Sequence, residues 1–132
     1  MQHSRFYEFV KSRDNNKEME LNELVSDERI KFSVSFESIN INFILHKIKL
    51  EFHLIAYQGS IHCSLGLRDY DNRRLLLNFE VLIEDIKNYI VERQNDDPKD
   101  LLIKLVEMLK FTLAKIFSTR LEAPPAIKRA EG

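Results

Sequence analysis

The chain of 132 residues holds one cysteine, three glycines, three prolines and no tryptophan. A lone Cys63 excludes an intramolecular disulfide and is the cysteine usage of a reducing compartment. Glycines at positions 59, 66 and 132 are too few and too scattered to build a phosphate-cradling loop. The sequence also lacks a dinucleotide fingerprint, a nucleophile elbow and a helix with paired zinc-binding histidines. A net charge of −1 gives no global positive field, so a nucleic-acid partner would require a local basic patch. Charges interrupt every apolar stretch before it reaches the roughly 18 residues of a membrane span. The start, Met1-Gln2-His3-Ser4-Arg5-Phe6, has no apolar run after a basic region, as a secretory signal would. These absences lead us to expect a cytoplasmic protein without a membrane partner.

What is present is an ordinary globular composition, 44% hydrophobic and 31% charged, with nine Phe and four Tyr. The length suits a single domain, expected over residues 1–122, followed by a flexible tail at 123–132 where Ala-Pro-Pro-Ala-Ile-Lys-Arg-Ala-Glu-Gly carries no apolar period. No repeat or low-complexity block interrupts it. Near the start, Phe6 to Val10 is apolar-rich, and Arg13-Asp14-Asn15-Asn16 ends any helix begun there. A second short helix is expected from Lys17 to Val25, with Met19, Leu21, Leu24 and Val25 apolar and Asn16 as its cap.

From Ile30 the apolar period becomes two. Ile30, Phe32, Val34 and Phe36 alternate with polar residues, then Ile39, Ile41, Phe43 and Leu45, then Ile48, Leu50, Phe52, Leu54 and Ala56. The phase switches from odd to even around His46, which calls for a bulge or a tight turn at His46-Lys47. Gln58-Gly59 is the better turn signal, because glycine accepts the positive φ of tight hairpins. A loop there sets Ala56 opposite Ile61, Leu54 opposite Cys63, Phe52 opposite Leu65 and Leu50 opposite Leu67. A one-residue slip would mix the faces, so this register is strongly specified. A loop at Glu37-Ser38 would pair Phe36 with Ile39, Val34 with Ile41 and Phe32 with Phe43. A loop at His46-Lys47 pairs Leu45 with Ile48 and Phe43 with Leu50. Beyond the polar segment 69–73, Leu75, Leu77 and Phe79 are expected to return as a fifth strand opposite Leu67, Leu65 and Cys63.

After Glu80 the period is helical, with Leu82, Ile86, Tyr89 and Ile90 in one stripe. Asp97-Pro98 starts a last helix: Asp97 caps it, Pro98 suits its first turn, and Asp100 adds negative charge there. Its apolar residues cover more than half the circumference, wider than the usual stripe of about 100°. Leu102, Leu105, Leu109, Leu113, Ile116 and Phe117 are therefore candidates for a partner or dimer interface. The fold class expected is α+β: an antiparallel four- to five-stranded meander, one face covered by C-terminal helices, with a short N-terminal helix.

For chemistry, the strand registers single out one basic row. Lys49 falls opposite Arg68, and Arg68 opposite Arg74, with Lys47 and Arg73 adjoining on the wet face. Like charges side by side repel, so an anion or nucleic acid is the candidate ligand, with Glu51, Asp69 and Asp71 as local neutralisers. His53 and His62 are diagonal neighbours on that face, with Glu51 nearby, short of the three placed ligands a zinc site needs. Cys63 points to the opposite face from His62, so the two form no nucleophilic dyad and Cys63 is read as core. No carboxylate pair is placed for acid–base work. We therefore expect neither a catalytic residue, a metal nor a cofactor. A meander followed by a helix resembles, in topology and size, Whirly-like single-stranded nucleic-acid-binding proteins and small acidic type III secretion chaperones. The leading expectation is a non-enzymatic protein-interaction module that forms a homodimer, as adaptor, chaperone or regulatory partner. Alternatives are single-stranded nucleic-acid binding through the basic row, or a small enzyme or ligand carrier.

Overall fold

A computed structural model describes residues 3–45, 48–68 and 74–116. The order is α1 (Arg5–Lys11), α2 (Lys17–Glu23), β1 (Ile30–Ser35), β2 (Ser38–Leu45), β3 (Ile48–Tyr57), β4 (Ser60–Arg68), α3 (Arg74–Arg93) and α4 (Pro98–Ile116). The fold is α+β, and its described residues form one antiparallel meander in the order β1-β2-β3-β4. No described helix is long and apolar enough to cross a membrane. The expected tail at 123–132 lies outside the described residues.

Alternation decides which face is buried. Ile30, Phe32, Ile39, Ile41, Phe43, Leu50, Phe52, Leu54 and Ala56 are buried beneath the sheet, as their period of two requires. The β3–β4 register is the expected one, with Ala56 opposite Ile61, Leu54 opposite Cys63 and Phe52 opposite Leu65. Gln58 and Gly59 both have positive φ, 49° and 84°, the geometry of a type I′ turn, whose twist matches that of the strands. The β2–β3 register is also as expected, Leu45 opposite Ile48 and Phe43 opposite Leu50; the turn at His46-Lys47 lies outside the described residues.

Two expectations are corrected. The first hairpin turns at Phe36-Glu37, not Glu37-Ser38, so Val34 faces Ile39 and Phe32 faces Ile41. That two-residue shift leaves every side chain on its face, which is why periodicity alone did not separate the two registers. Glu37 carries the turn at φ 57°, a left-handed conformation without glycine's freedom. The expected fifth strand is instead the start of α3. Residues 74–80, Arg-Leu-Leu-Leu-Asn-Phe-Glu, contain no β-branched residue, and three leucines favour helix. They continue into the amphipathic stretch that buries Leu82, Ile86 and Ile90.

The middle of the sheet is covered by the N-terminal helix, and a C-terminal helix packs on its last strand. Helix α1 packs on β2 and β3 and against α4; α2 packs on β1; α3 packs on β4 and against α4. Seven residues are too few for a helix to stand alone in water, so α1 depends on its surroundings. It buries Phe6, Tyr7 and Val10. At its start, Ser4 Oγ accepts from the Tyr7 amide at 3.1 Å, a side-chain cap. The Phe6 amide donates to Gln94 O at 2.8 Å, and the Arg5 amide to Asn95 Oδ1 at 3.1 Å. At its end, the Lys17 ammonium donates to Phe9 O and Ser12 O, both at 2.8 Å. Lys17 is only 2% exposed, and with the Ser12 hydroxyl, which donates to Phe9 O at 2.8 Å, it satisfies the carbonyls at a helix terminus that lack intrahelical partners.

The turn before β1 is tied down by charge. Asp27 accepts from the Arg29 guanidinium at 2.9 and 2.7 Å and pairs with Lys110 of α4 at 3.6 Å. Helix α2 begins at Lys17 as expected and buries Leu21, but Asn16 makes no side-chain cap and Met19 and Leu24 face solvent. Helix α4 starts as expected: Asp97 Oδ1 accepts from the Lys99 amide at 2.9 Å. Its broad apolar face is covered within the chain, since Leu101, Leu102, Leu105, Val106, Leu109 and Leu113 are all buried.

Candidate interaction surface

The opposite face of the sheet carries no helix among the described residues, and its side chains are set by the same alternation. Rows across the four strands read Lys31, Asn42, Glu51, Gly66; then Ser33, Asn40, His53, Ser64; then Ser35, Ser38, Ile55, His62. Most of these side chains are short and polar, and neighbouring ones hold each other. Asn42 Nδ2 donates to Ser33 Oγ at 2.6 Å. His53 Nδ1 shares a hydrogen bond with Asn40 Oδ1 at 2.8 Å, and its Nε2 lies 3.6 Å from Glu51 Oε1. Glu51 in turn pairs with Lys49 at 3.4 Å. A chain of contacts therefore runs Asn40, His53, Glu51, Lys49 over two strands, which fixes rotamers before any partner arrives.

One end of this face is different. Ile55 and Tyr57 stand on β3 at 41% and 56% exposure. His62, the cross-strand partner of Ile55, meets the Tyr57 ring edge-on with centroids 5.8 Å apart. The β1–β2 turn closes the same end of the meander, and its Phe36 is 62% exposed with the Arg13 guanidinium 4.4 Å above the ring. The signal for this end was present in the sequence: Ile55, like Ile44, sits in the polar phase of a two-residue period. Phe36 became visible only when the turn moved to include it.

The basic row is smaller than the sequence suggested. Lys49 and Arg68 are cross-strand partners, and Lys49 is also paired with Glu51. Arg74 is the first residue of α3, so no third strand sets it opposite Arg68. Lys47 and Arg73 lie outside the described residues. His53 is opposite Ser64 as expected, and no group of three metal-ligating side chains occurs among the described residues. Cys63 is half-buried against the core, and burial pushes its thiol up to about 11, with Lys87 pulling the other way.

Four of the six residues expected at a helical interface are buried within the chain. Leu102, Leu105, Leu109 and Leu113 are completely enclosed by the chain's own elements, and both α3 and α1, whose position the sequence did not reveal, pack against α4. Ile116 ends α4, and Phe117 lies outside the described residues.

Sequence reasoning also missed how β1 is finished. The Phe32 amide donates to Asn22 Oδ1 at 2.7 Å while Asn22 Nδ2 donates to Phe32 O at 3.1 Å. The Val34 amide donates to Glu18 Oε1 at 2.8 Å, and the Ile30 amide to Asp27 O at 3.0 Å. Two side chains of α2 thus act as a short artificial strand along the outer edge of β1. An asparagine inside the last turn of a short helix, where its propensity is poor, was the available hint. Comparison with known proteins finds no matching family model, no matching curated protein and no matching solved structure.

Proposed function

We propose that this protein is a non-enzymatic protein-interaction module, acting in a reducing compartment such as the cytoplasm, that binds a polypeptide partner on its open sheet face. The observation that carries this reading is the exposed Ile55 and Tyr57, upright on a central strand with His62 against the Tyr57 ring. Interface centres are enriched in aromatic anchors surrounded by groups that exclude water. Here the surrounding groups are Asn, Ser and His side chains already engaged with one another, so binding orders little that is free. A tyrosine with few rotatable bonds loses less entropy on binding than a long charged side chain.

The test is site-specific photo-crosslinking in the protein's own host, with a photoreactive residue replacing Tyr57 in one variant and exposed Glu84 of α3 in another. The expected result is one recurring polypeptide adduct from position 57, lost when Ile55→Asp is added. The same adducts from both positions, or none from position 57, would refute the reading.

A further inference from the structure

The two edges of the sheet are finished differently. The Ile44 amide donates to Arg29 O and the Ala56 amide to Glu37 O, which sets the direction of every backbone group in the meander. Alternate residues of a strand aim their N–H and C=O at alternate neighbours. Even-numbered residues of β2 therefore serve β1, and odd-numbered ones serve β3. Even-numbered residues of β3 serve β2, and odd-numbered ones serve β4. On β4, Ser60, His62, Ser64 and Gly66 are consumed by β3, and Ile61, Cys63 and Leu65 aim their backbone groups outward. On β1 the outward amides of Ile30, Phe32 and Val34 are all accepted by α2 and the turn that follows it. On β4, no described residue bonds the outward groups of Ile61, Cys63 or Leu65. Their side chains, on the core face, are only half-buried.

We propose that β4 pairs antiparallel with β4 of a second copy, joining two four-stranded sheets into one continuous sheet about a twofold axis at Cys63. In that register Ile61 meets Leu65 of the second copy, Cys63 meets its own image, His62 meets Ser64 and Ser60 meets Gly66. Every apolar position faces an apolar one and no like charges are apposed, which cross-strand pairing requires. Three narrow pairs at 61, 63 and 65 exchange about six backbone hydrogen bonds. The half-buried side chains of one edge continue the core of the other. A second copy is the occupant favoured here because the strand is complementary to itself in register, and because one edge is sealed. A sheet open on both edges would grow as a filament, whereas a single open edge closes on itself as a dimer. The open faces of both copies would then lie side by side, so this pairing is independent of whether Tyr57 binds a partner.

Two measurements test the pairing on the full chain. Sedimentation equilibrium should show a dimer that Cys63→Pro converts to monomer with unchanged far-ultraviolet circular dichroism, since proline removes an outward N–H that the chain's own sheet does not use. Amide hydrogen exchange on the wild-type protein should show protection at Ile61, Cys63 and Leu65 that rises with protein concentration, while Ser64, bonded within the chain, stays protected throughout. The exchange readout also decides the matter if Cys63→Pro does not fold. A wild-type monomer at high micromolar concentration, a dimer untouched by a folded Cys63→Pro, or fast exchange at 61, 63 and 65 at every concentration would overturn the proposal.

Discussion

Replacing Lys17 with methionine asks whether a buried ammonium can serve as the end of a helix. The Lys17 Nζ lies 2.8 Å from Phe9 O, 2.8 Å from Ser12 O, 3.4 Å from Val10 O and 3.3 Å from Ser12 Oγ. Methionine fills a similar volume and donates to none of them. Each buried acceptor left without a donor costs about 1–3 kcal/mol. Phe9 O keeps a second donor, the Ser12 hydroxyl at 2.8 Å, and Ser12 O is only part-buried, so the low end applies, about 1–2 kcal/mol in all. Against this stands relief of the ammonium's desolvation; burial lowers the pKa of Lys17 from 10.5, with Asp14 opposing. Apolar replacement of a buried charge is sometimes stabilising, but there the partner is replaced too, whereas here the carbonyls remain. A net loss of about 1 kcal/mol follows, or about 3–5 °C in Tm for a chain of this size. Urea unfolding should show a lower midpoint at constant slope, with Lys11→Met as control, expected within about 0.5 kcal/mol of wild type. A Lys17→Met protein as stable as wild type would show that the ammonium contributes no cap and that apolar burial at this site dominates.

Three further outcomes are expected. Hydrogen bonds from the Arg29 side chain hold the Asp27 carboxyl well below its usual 3.8, burial opposing and Lys110 assisting. The unfolded chain then binds the proton first, so the stability this group supplies is complete above about pH 4 and is lost as pH falls further. Asp27→Asn should lose about 1–2 kcal/mol at neutral pH and show a shallower decline in acid, measured as urea midpoint against pH. Glu37→Gly should raise stability by about 0.5–1 kcal/mol, because φ 57° costs a side-chain-bearing residue more than it costs glycine; a fall in Tm would refute the assignment of strain to this turn. Cys63, with its thiol raised to about 11, should react with iodoacetamide at pH 8 roughly a hundredfold more slowly than in the urea-unfolded chain. Equal rates would show that the thiol is not shielded.

The sheet was largely legible in the sequence because alternation, phase and one Gln-Gly turn all act over neighbouring residues. Leu54 opposite Cys63 and Phe43 opposite Leu50 follow from the requirement that apolar side chains share a face. The first hairpin shows the limit of that reasoning, since Val34 opposite Ile39 and Val34 opposite Ile41 satisfy it equally. The fifth strand failed for a different reason: Leu75, Leu77 and Phe79 alternate, but the same leucines propagate a helix that packs along Leu82, Ile86 and Ile90. The burial of Leu102, Leu105, Leu109 and Leu113 was not legible because one helix packed on α4, α1, lies far away in sequence and carries only Phe6, Tyr7 and Val10 as a signal. The basic row inherited the error of the fifth strand, whereas the Lys49–Arg68 pairing survived with the β3–β4 register.

The place of α1 has a consequence for how the chain comes together. Helix α1 is held by groups that follow much later in the sequence: Gln94 and Asn95 at its start, strands β2 and β3, helix α4, and the Gly59 amide on the Tyr7 hydroxyl at 3.2 Å. Until α4 has been made, three large side chains of α1 have no complete pocket to enter. Closure of this core thereby waits for α4, and contacts between elements so far apart in sequence make it slow. A truncation that spares every strand but removes residues 3–11 would leave a sheet with no centre to rest on.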